Sequence, residues 1–432
     1  MFMKKLAVVL LAILLSFPLF DSREMRDGFQ KGMSFVGYWN NVYDMPEAIE
    51  SLYNLKETGS KWVALVTTWY QEDEHSTEIF PDENATPTDA SLIKMINKVH
   101  ELGMKVMLKP HIDLMNGEWR GMISFENEED WHEWFNSYRN FICHFASMAE
   151  NHSVEQFCIG TELAKTVNRT EWSDIINEVR EIYSGKLVYA ANWDNYKNVI
   201  FWNALDYAGI DAYFPLTDKK DPGLQELLNG WKKWHDEIEE WQQEIGKKVI
   251  FTEIGYRSVD GTNMWPWNWM YEDRIDLQEQ ADCYNATFIT FWHEEWMAGI
   301  YWWTWYPNLE GGENESGYTP YKKPAEKVLR RYYLEELPEI KLIKPTAGKI
   351  YVFDKEVANI NANYSIIVGK ITIMAECRNA SIVEFYIDDE VRYVDEEEPY
   401  EWLWNEFAIG WHEIKVTAKD TIDGIDVFIL NV

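Results

Sequence analysis

Eight short apolar runs lie between about Lys31 and Tyr333, and stretches with helical periodicity separate them. The runs are MSFVGYW (33–39), WVALVTTWY (62–70), KVMLKPHIDL (105–114), EQFCIGTEL (155–163), LVYAANWDNY (187–196), YAGIDAYFPL (207–216), KVIFTEIGY (248–256) and GIYWWTWYP (299–307). Nearly continuous apolar character, rather than strict alternation, is typical of strands that are covered on both faces. The pattern therefore predicts eight buried parallel strands.

The segments between the runs carry helix signals. Thr88 is a suitable N-cap for an amphipathic helix that stops at Gly103, and Thr170 opens another that ends near Gly185. Eight strands alternating with helices over about 300 residues predict an α/β fold, a (β/α)8 TIM barrel. A doubly wound open sheet is the alternative, but no glycine-rich phosphate loop follows any of the strands.

The alternation of strands and helices stops between Glu335 and Pro338. Beyond it the chain reads as short strands with acidic turns, such as KITIMAEC, VEFYIDDEVRYV and HEIKVTAKD. We therefore predict a signal peptide at residues 1–22, a catalytic barrel at 23–335 and a small all-β, immunoglobulin-like sandwich at 338–432. A glycan-binding module and a spacer are both open interpretations of this third part.

The N-terminus has the pattern of an export signal. Met3, Lys4 and Lys5 precede an apolar run from Leu6 to Phe20, which is short for a membrane span. We predict a secreted protein, with an uncleaved anchor as the alternative.

Charge and aromatic content narrow the classes of ligand. The chain has 73 acidic and 40 basic residues and a formal net charge of −33, which disfavours nucleic acid and anionic membranes as partners. It also has 23 Trp and 24 Tyr. Aromatic residues fill cores, but their flat faces also stack on the CH faces of sugar rings, so a neutral, polyhydroxylated ligand is favoured; no protein partner is implied.

Two glutamates close apolar runs, Glu162 in EQFCIGTEL and Glu253 in KVIFTEIGY, 253 − 162 = 91 residues apart. A buried charge is costly unless it is paired or used. In a TIM barrel the active site lies where the strands end. The two residues therefore predict a two-carboxylate active site of the kind that hydrolyses glycosidic bonds.

Other polar and aromatic residues at the strand ends are predicted to bind the substrate, and Tyr213 is also a predicted hydrogen-bond donor to Glu253. This set is Trp39, Trp69, Lys109, His111, Asn192, Trp193, Asp211, Tyr213, Trp303 and Trp305. Strand alternation places Trp303 and Trp305 on one face, where a tryptophan can form the floor of the sugar site. His111 and Asp113 have a spacing found in metal sites, but no third ligand completes one, so no metal and no cofactor is predicted.

The motifs KGMSFVGYWN, KVMLKPHID, GTEL, ANWDNY, DAYFPL and TEIGY and the Trp-rich last strand resemble glycoside hydrolase family 113 over roughly residues 31–333. That resemblance implies a retaining (β/α)8 hydrolase of clan A, with Glu162 as acid/base and Glu253 as nucleophile. It also implies endo-β-1,4-mannanase activity. One departure is Thr161, where much of the wider clan has an asparagine that binds the 2-hydroxyl of the reacting sugar. The tail from VEFYIDD to TAKD resembles immunoglobulin-like modules of secreted polysaccharide hydrolases.

The function predicted from the sequence is a secreted retaining endo-β-1,4-mannanase that cleaves mannan, glucomannan or galactomannan. Three alternatives remain open: a related β-glycanase acting on glucan or xylan, an exo-acting β-mannosidase, and a non-catalytic glycan-binding protein. The pair Glu162 and Glu253 argues against the last, because a binding protein has no use for an acid and a nucleophile.

Overall fold

A computed structural model describes residues 28–334, 338–419 and 425–432. Eight parallel strands close into a barrel in sequence order. The strands are Gln30–Phe35 (β1), Trp62–Gln71 (β2), Lys105–Leu114 (β3), Gln156–Thr161 (β4), Lys186–Asn192 (β5), Tyr207–Asp211 (β6), Val249–Ile254 (β7) and Met297–Trp305 (β8). All eight predicted strands are thus confirmed, and the open-sheet alternative is wrong.

Helices cover the outside of the barrel. They are Pro46–Glu57 (α1), Asp89–Glu101 (α2), Glu128–Asn151 (α3), Trp172–Ile182 (α4), Leu224–Ile245 (α5), Leu277–Phe291 (α6) and Pro324–Tyr333 (α7). The Thr88 side chain accepts a hydrogen bond from the Ser91 N–H, which confirms the predicted cap of α2. The helix predicted from Thr170 begins at Trp172, two residues later.

Two hydrophobic layers hold the barrel together. The larger lies between strands and helices, where a mainly aromatic stripe on α3, from Trp131 to Phe145, is buried against the sheet. A smaller cluster contains Ala64, Met107, Cys158 and Ile250. Cys158 has no exposed surface. Because both faces of the strands are covered, the strand ends and the loops that follow them are the places where a functional site can be exposed.

The C-terminal part is all β. Its strands are Glu339–Lys344 (β9), Lys349–Val352 (β10), Lys355–Asn359 (β11), Ile366–Val368 (β12), Ile371–Arg378 (β13), Ile382–Ile387 (β14), Glu390–Asp395 (β15), Glu401–Trp404 (β16), Glu413–Lys419 (β17) and Ile425–Asn431 (β18). They form sheets in the orders β11-β10-β12, β16-β13-β9 and β15-β14-β17-β18. One hydrophobic cluster, including Ile373, Phe385 and Val416, is shared by the second and third sheets. The small all-β unit is thus confirmed, while its immunoglobulin-like topology stays a prediction.

Two predictions fall on residues outside the described part of the chain. The signal peptide lies within residues 1–27, and the boundary between barrel and tail falls at residues 335–337. Among the described residues, no helix is both long and apolar enough to cross a bilayer.

Candidate active site

Glu253 lies on β7 and is 6% exposed. The Tyr213 hydroxyl donates a hydrogen bond to Glu253 Oε2 over 2.8 Å, which confirms the predicted donor. The ammonium of Lys109 donates to Oε1 of the same carboxylate. Each oxygen of Glu253 therefore has its own donor, Lys109 from the middle of β3 and Tyr213 from just beyond β6, and the carboxylate is held in one orientation.

Lys109 on β3 belongs to a buried charged group beside Glu253. Its Nζ lies 3.2 Å from Asp211 Oδ1, and the Thr252 hydroxyl donates to that oxygen over 2.8 Å. Burial lowers the pKa of Lys109, but the carboxylates of Asp211 and Glu253 outweigh it and raise the pKa. The pKa of Asp211 is also raised, by burial and then by the negative charge of Glu253, because one ammonium faces two carboxylates.

The side chains of Lys109 and Asp211 have no exposed surface. The prediction that they bind substrate directly therefore needs correction, because a ligand in the barrel mouth has no access to them. The structure favours a positioning role, in which Asp211 holds Lys109 and Lys109 holds Glu253. The sequence did not separate these roles, since both residues are polar positions within or at the end of an apolar run, as the two glutamates are.

His111 completes the surroundings of Glu253. Its Nε2 lies 3.6 Å from Glu253 Oε1, which is beyond hydrogen-bond distance, and its ring stacks on Trp303 with centroids 6.1 Å apart. Burial, Arg120 and Lys109 lower the pKa of His111 well below its ordinary value. The imidazole is therefore neutral at neutral pH and adds no charge beside the carboxylate.

Glu162 follows the last residue of β4, and its φ of 52° is in the left-handed region that few residues with side chains adopt. Its N–H donates to the Ala190 carbonyl of β5 over 2.8 Å. The Trp119 indole N–H donates to Glu162 Oε2 over 3.1 Å. A Cβ at Gly121 would collide with the Trp119 ring, so the glycine permits this position.

The electrostatics of Glu162 differ from those of Glu253. Burial raises the pKa of Glu162, and the negative charge of Glu253 raises it further. The Arg120 guanidinium and the Trp119 N–H act in the opposite direction, and Arg120 is itself bound to Asp113. The net direction is upward, which is what a carboxyl group needs if it is to keep its proton near neutral pH.

Three of the other predicted substrate residues lie at strand ends and are partly exposed. Asn192 ends β5 and donates to Asp194, and the neighbouring Trp193 stacks on Trp267 with ring centroids 5.1 Å apart. Trp39 lies beyond β1. Its indole N–H donates to Met45 Sδ over 3.3 Å, so the aromatic surfaces beside Asn192 and Glu253 come from Trp193 and Trp303.

Trp69 is placed differently from the prediction. Its ring packs against three rings of α3, with centroids 5.5 to 5.8 Å away. In the pairing of β2 with β3, Thr68 is opposite His111 and Trp69 is opposite Ile112. Trp69 therefore lies on the helix side of β2, where it contributes to packing rather than to a sugar site.

Trp305 is also corrected. It is 1% exposed, and its indole N–H donates to the Ser51 hydroxyl of α1 over 2.9 Å. The register of β8 against β1 shifts between the pairs Met33–Trp302 and Phe35–Trp305, so β8 carries one extra residue there. This bulge breaks the alternation, and Trp303 and Trp305 do not share a face.

Trp119 and Arg120 were missed as site residues by sequence reasoning. Both lie in the loop after β3, in the string GEWR. Loops that follow the strands of a TIM barrel build its active site. This general rule is the only feature of the sequence that points to these two residues. Only the folded chain shows that this loop reaches Glu162 at the end of the next strand.

Fold and site together define a (β/α)8 enzyme with carboxylates at the ends of β4 and β7. The family model described as Glycoside Hydrolase Family 113 matches residues 33–323, and the chain belongs to this family. It is therefore a glycoside hydrolase.

Solved structures agree with this membership. A complex of a family 113 β-1,4-mannanase is 32% identical, with a TM-score of 0.66, and the match covers 71% of this chain and 99% of that one. The family 113 β-mannanase from Alicyclobacillus acidocaldarius, in complex with ManMIm, is 30% identical, with a TM-score of 0.67 and coverage of 71% and 98%. No curated protein sequence matches the chain.

Proposed function

We propose that this glycoside hydrolase is a secreted, retaining endo-β-1,4-mannanase that acts on mannan, glucomannan or galactomannan. The observation that carries the mechanism is the difference between the two carboxylates: Glu253 has a donor on each oxygen, while Glu162 has a raised pKa. The substrate class is supported by the two family 113 mannanases to which the chain is similar.

In the first step, a carboxylate oxygen of Glu253 attacks the anomeric carbon, and Glu162 gives its proton to the departing glycosidic oxygen. A glycosyl ester on Glu253 results, and its formation removes one negative charge from the site. Glu162, now ionised, then takes a proton from water, and the resulting hydroxide attacks the same carbon and releases Glu253. Two displacements at one carbon retain its configuration.

Thr161, the residue before Glu162, is not in a position to bind the 2-hydroxyl of the reacting sugar. Thr161 is 3% exposed, and its hydroxyl lies 3.9 Å from Cys158 Sγ in the barrel interior. Asn192, at the end of the next strand, is partly exposed and carries both a donor and an acceptor. We assign the 2-hydroxyl contact to Asn192.

Release of reducing ends from mannan, carboxymethyl cellulose and xylan tests the substrate class. We expect release from mannan and a ladder of manno-oligosaccharides early in the reaction. Release from cellulose or xylan alone would support the glycanase alternative, and mannose as the only early product would support an exo-acting enzyme. Proton NMR of the first product should show the β-anomer before mutarotation.

Secretion has its own test. Expression of the full chain in a bacterial host should place the protein in the medium or periplasm, and its N-terminal residue should lie near Phe20 to Arg23 if the signal is cleaved. Retention in the membrane fraction with an intact N-terminus would instead support the anchor.

A further inference from the structure

Outside the active site, three carboxylates come together at the base of the loop after β7. Asp260, Asp276 and Glu279 each offer one oxygen, and these oxygens all lie within 4.8 Å of one another. Two oxygens on opposite sides of a Ca²⁺ ion at about 2.4 Å are about 4.8 Å apart. The spread of the three oxygens is therefore compatible with a single cation of that size.

The three residues are brought together by the backbone. Val259 and Ile275 form an antiparallel bridge, and the Asp260 N–H donates to the Arg274 carbonyl over 3.0 Å. Asp276 caps α6 and Glu279 lies in its first turn. The carboxylates thus come from both strands of a loop neck and from the helix that follows it.

Asp260 supplies an independent indication of a ligand. The residue is 6% exposed, and its Oδ1 is buried with no hydrogen-bond partner in the described part of the chain. Its other oxygen accepts from Arg274 Nε over 2.9 Å. A buried carboxylate oxygen without a donor is costly, so a cation or other donor is expected beside it.

The local charge also fits a divalent cation. Three carboxylates contribute −3 and the Arg274 guanidinium contributes +1, which leaves −2. Glu279 is 2% exposed, and its oxygens accept hydrogen bonds from the Gly261 N–H, the Asn263 N–H and the Asn263 side-chain amide, which fix the orientation of the carboxylate.

We propose that Asp260, Asp276 and Glu279 form a structural site for a divalent cation of the Ca²⁺ type, which fastens the neck of the loop after β7. Carboxylate oxygens are the ligands that this hard cation prefers. The loop between the neck strands carries Trp265, Trp267 and Trp269, and Trp267 stacks on Trp193 at the end of β5. The cation would therefore fix an aromatic loop over the barrel mouth without taking part in the chemistry.

The test uses the full-length protein after chelation with EDTA, titrated with CaCl₂ and, separately, with MgCl₂. We expect one Ca²⁺ per chain by calorimetry and a rise in Tm on the order of 5 °C at a Ca²⁺ concentration a hundred times the Kd. Tryptophan fluorescence should change in parallel, because the cation orders a loop that contains three tryptophans. These readouts do not depend on which sugar the enzyme cleaves.

Variants make the test specific. Asp260→Asn removes a ligand charge and should abolish both binding and the Tm rise. Asp276→Asn keeps a good N-cap for α6 and should weaken binding at least tenfold, which covers the case in which Asp260→Asn does not fold. Asp221→Asn is the matched control: Asp221 lies 3.7 Å from Arg274 but outside the cluster, and this variant should bind as the wild type does.

Two results would overturn the proposal. One is the absence of Ca²⁺ binding and of any Tm rise in the wild-type protein, which would leave the cluster as a carboxylate network held by Arg274. The other is equal binding by wild type, Asp260→Asn and Asp276→Asn, which would place the ion elsewhere.

Discussion

The surroundings of Glu253 and those of Glu162 are built by different parts of the molecule. Glu253 is held by side chains of the barrel itself, with Lys109 from β3 and Tyr213 just beyond β6. Glu162 receives its side-chain hydrogen bond from Trp119, in the loop after β3, and the charge of Arg120 in that loop opposes the rise that burial causes in the pKa of Glu162. The comparison indicates that the barrel strands orient the proposed nucleophile, Glu253, while a loop influences the pKa of the proposed acid, Glu162.

The largest effect is expected from Glu253→Ala. Loss of the nucleophile should lower kcat by about 10⁴-fold or more, because the covalent route is removed. Azide should restore turnover and give a glycosyl azide of inverted configuration, which chromatography and NMR detect. Near-normal activity of this variant would refute the assignment of the nucleophile.

Glu162→Ala should be milder and should depend on the leaving group. Substrates with poor leaving groups should lose about 10² to 10⁴-fold in kcat/KM, since proton donation is lost. An aryl mannoside with a good leaving group should keep its first step, seen as a burst of released phenol. A uniform loss across leaving groups would argue against an acid role.

Lys109→Met tests the positioning of Glu253. Removing one partner of a buried ion pair costs about 3–5 kcal/mol, so the urea midpoint should fall, and kcat should fall as well because Glu253 Oε1 loses its donor. Lys323→Met is a matched control, because Lys323 is a buried lysine paired with Glu315 and has no contact with Glu253. The Lys323→Met variant should be less stable than the wild type but should keep its kcat. If the two variants had equal kcat, Lys109 would have no positioning role.

Trp119→Phe should have the smallest effect. The Trp119 N–H lowers the pKa of Glu162, so its loss should raise that pKa further. Because the acid form of Glu162 is the active one, the basic limb of the kcat/KM profile should move to higher pH, with little change on the acid side. An unchanged or downward-shifted basic limb would show that the hydrogen bond does not adjust the acid.

Much of the barrel and its two glutamates could be predicted from the sequence. Strands covered on both faces must be continuously apolar, so a carboxylate that closes such a run is conspicuous, as Glu253 and Glu162 are. The sequence did not show which side chains point into the barrel mouth and which point toward the helices. Trp69 and Trp305 lie near the ends of apolar runs, as Trp303 does, yet they pack against the helices.

The sequence by itself determined the architecture and the place of Glu162 and Glu253, because both follow from local apolar periodicity and from the rule that barrel sites lie at strand ends. Only the tertiary structure decided which groups meet there. The contact of Lys109 with Asp211 and Glu253 spans more than a hundred residues of chain, and the position of Trp305 depends on a bulge in β8. Such contacts depend on register and loop path, which local sequence patterns do not encode.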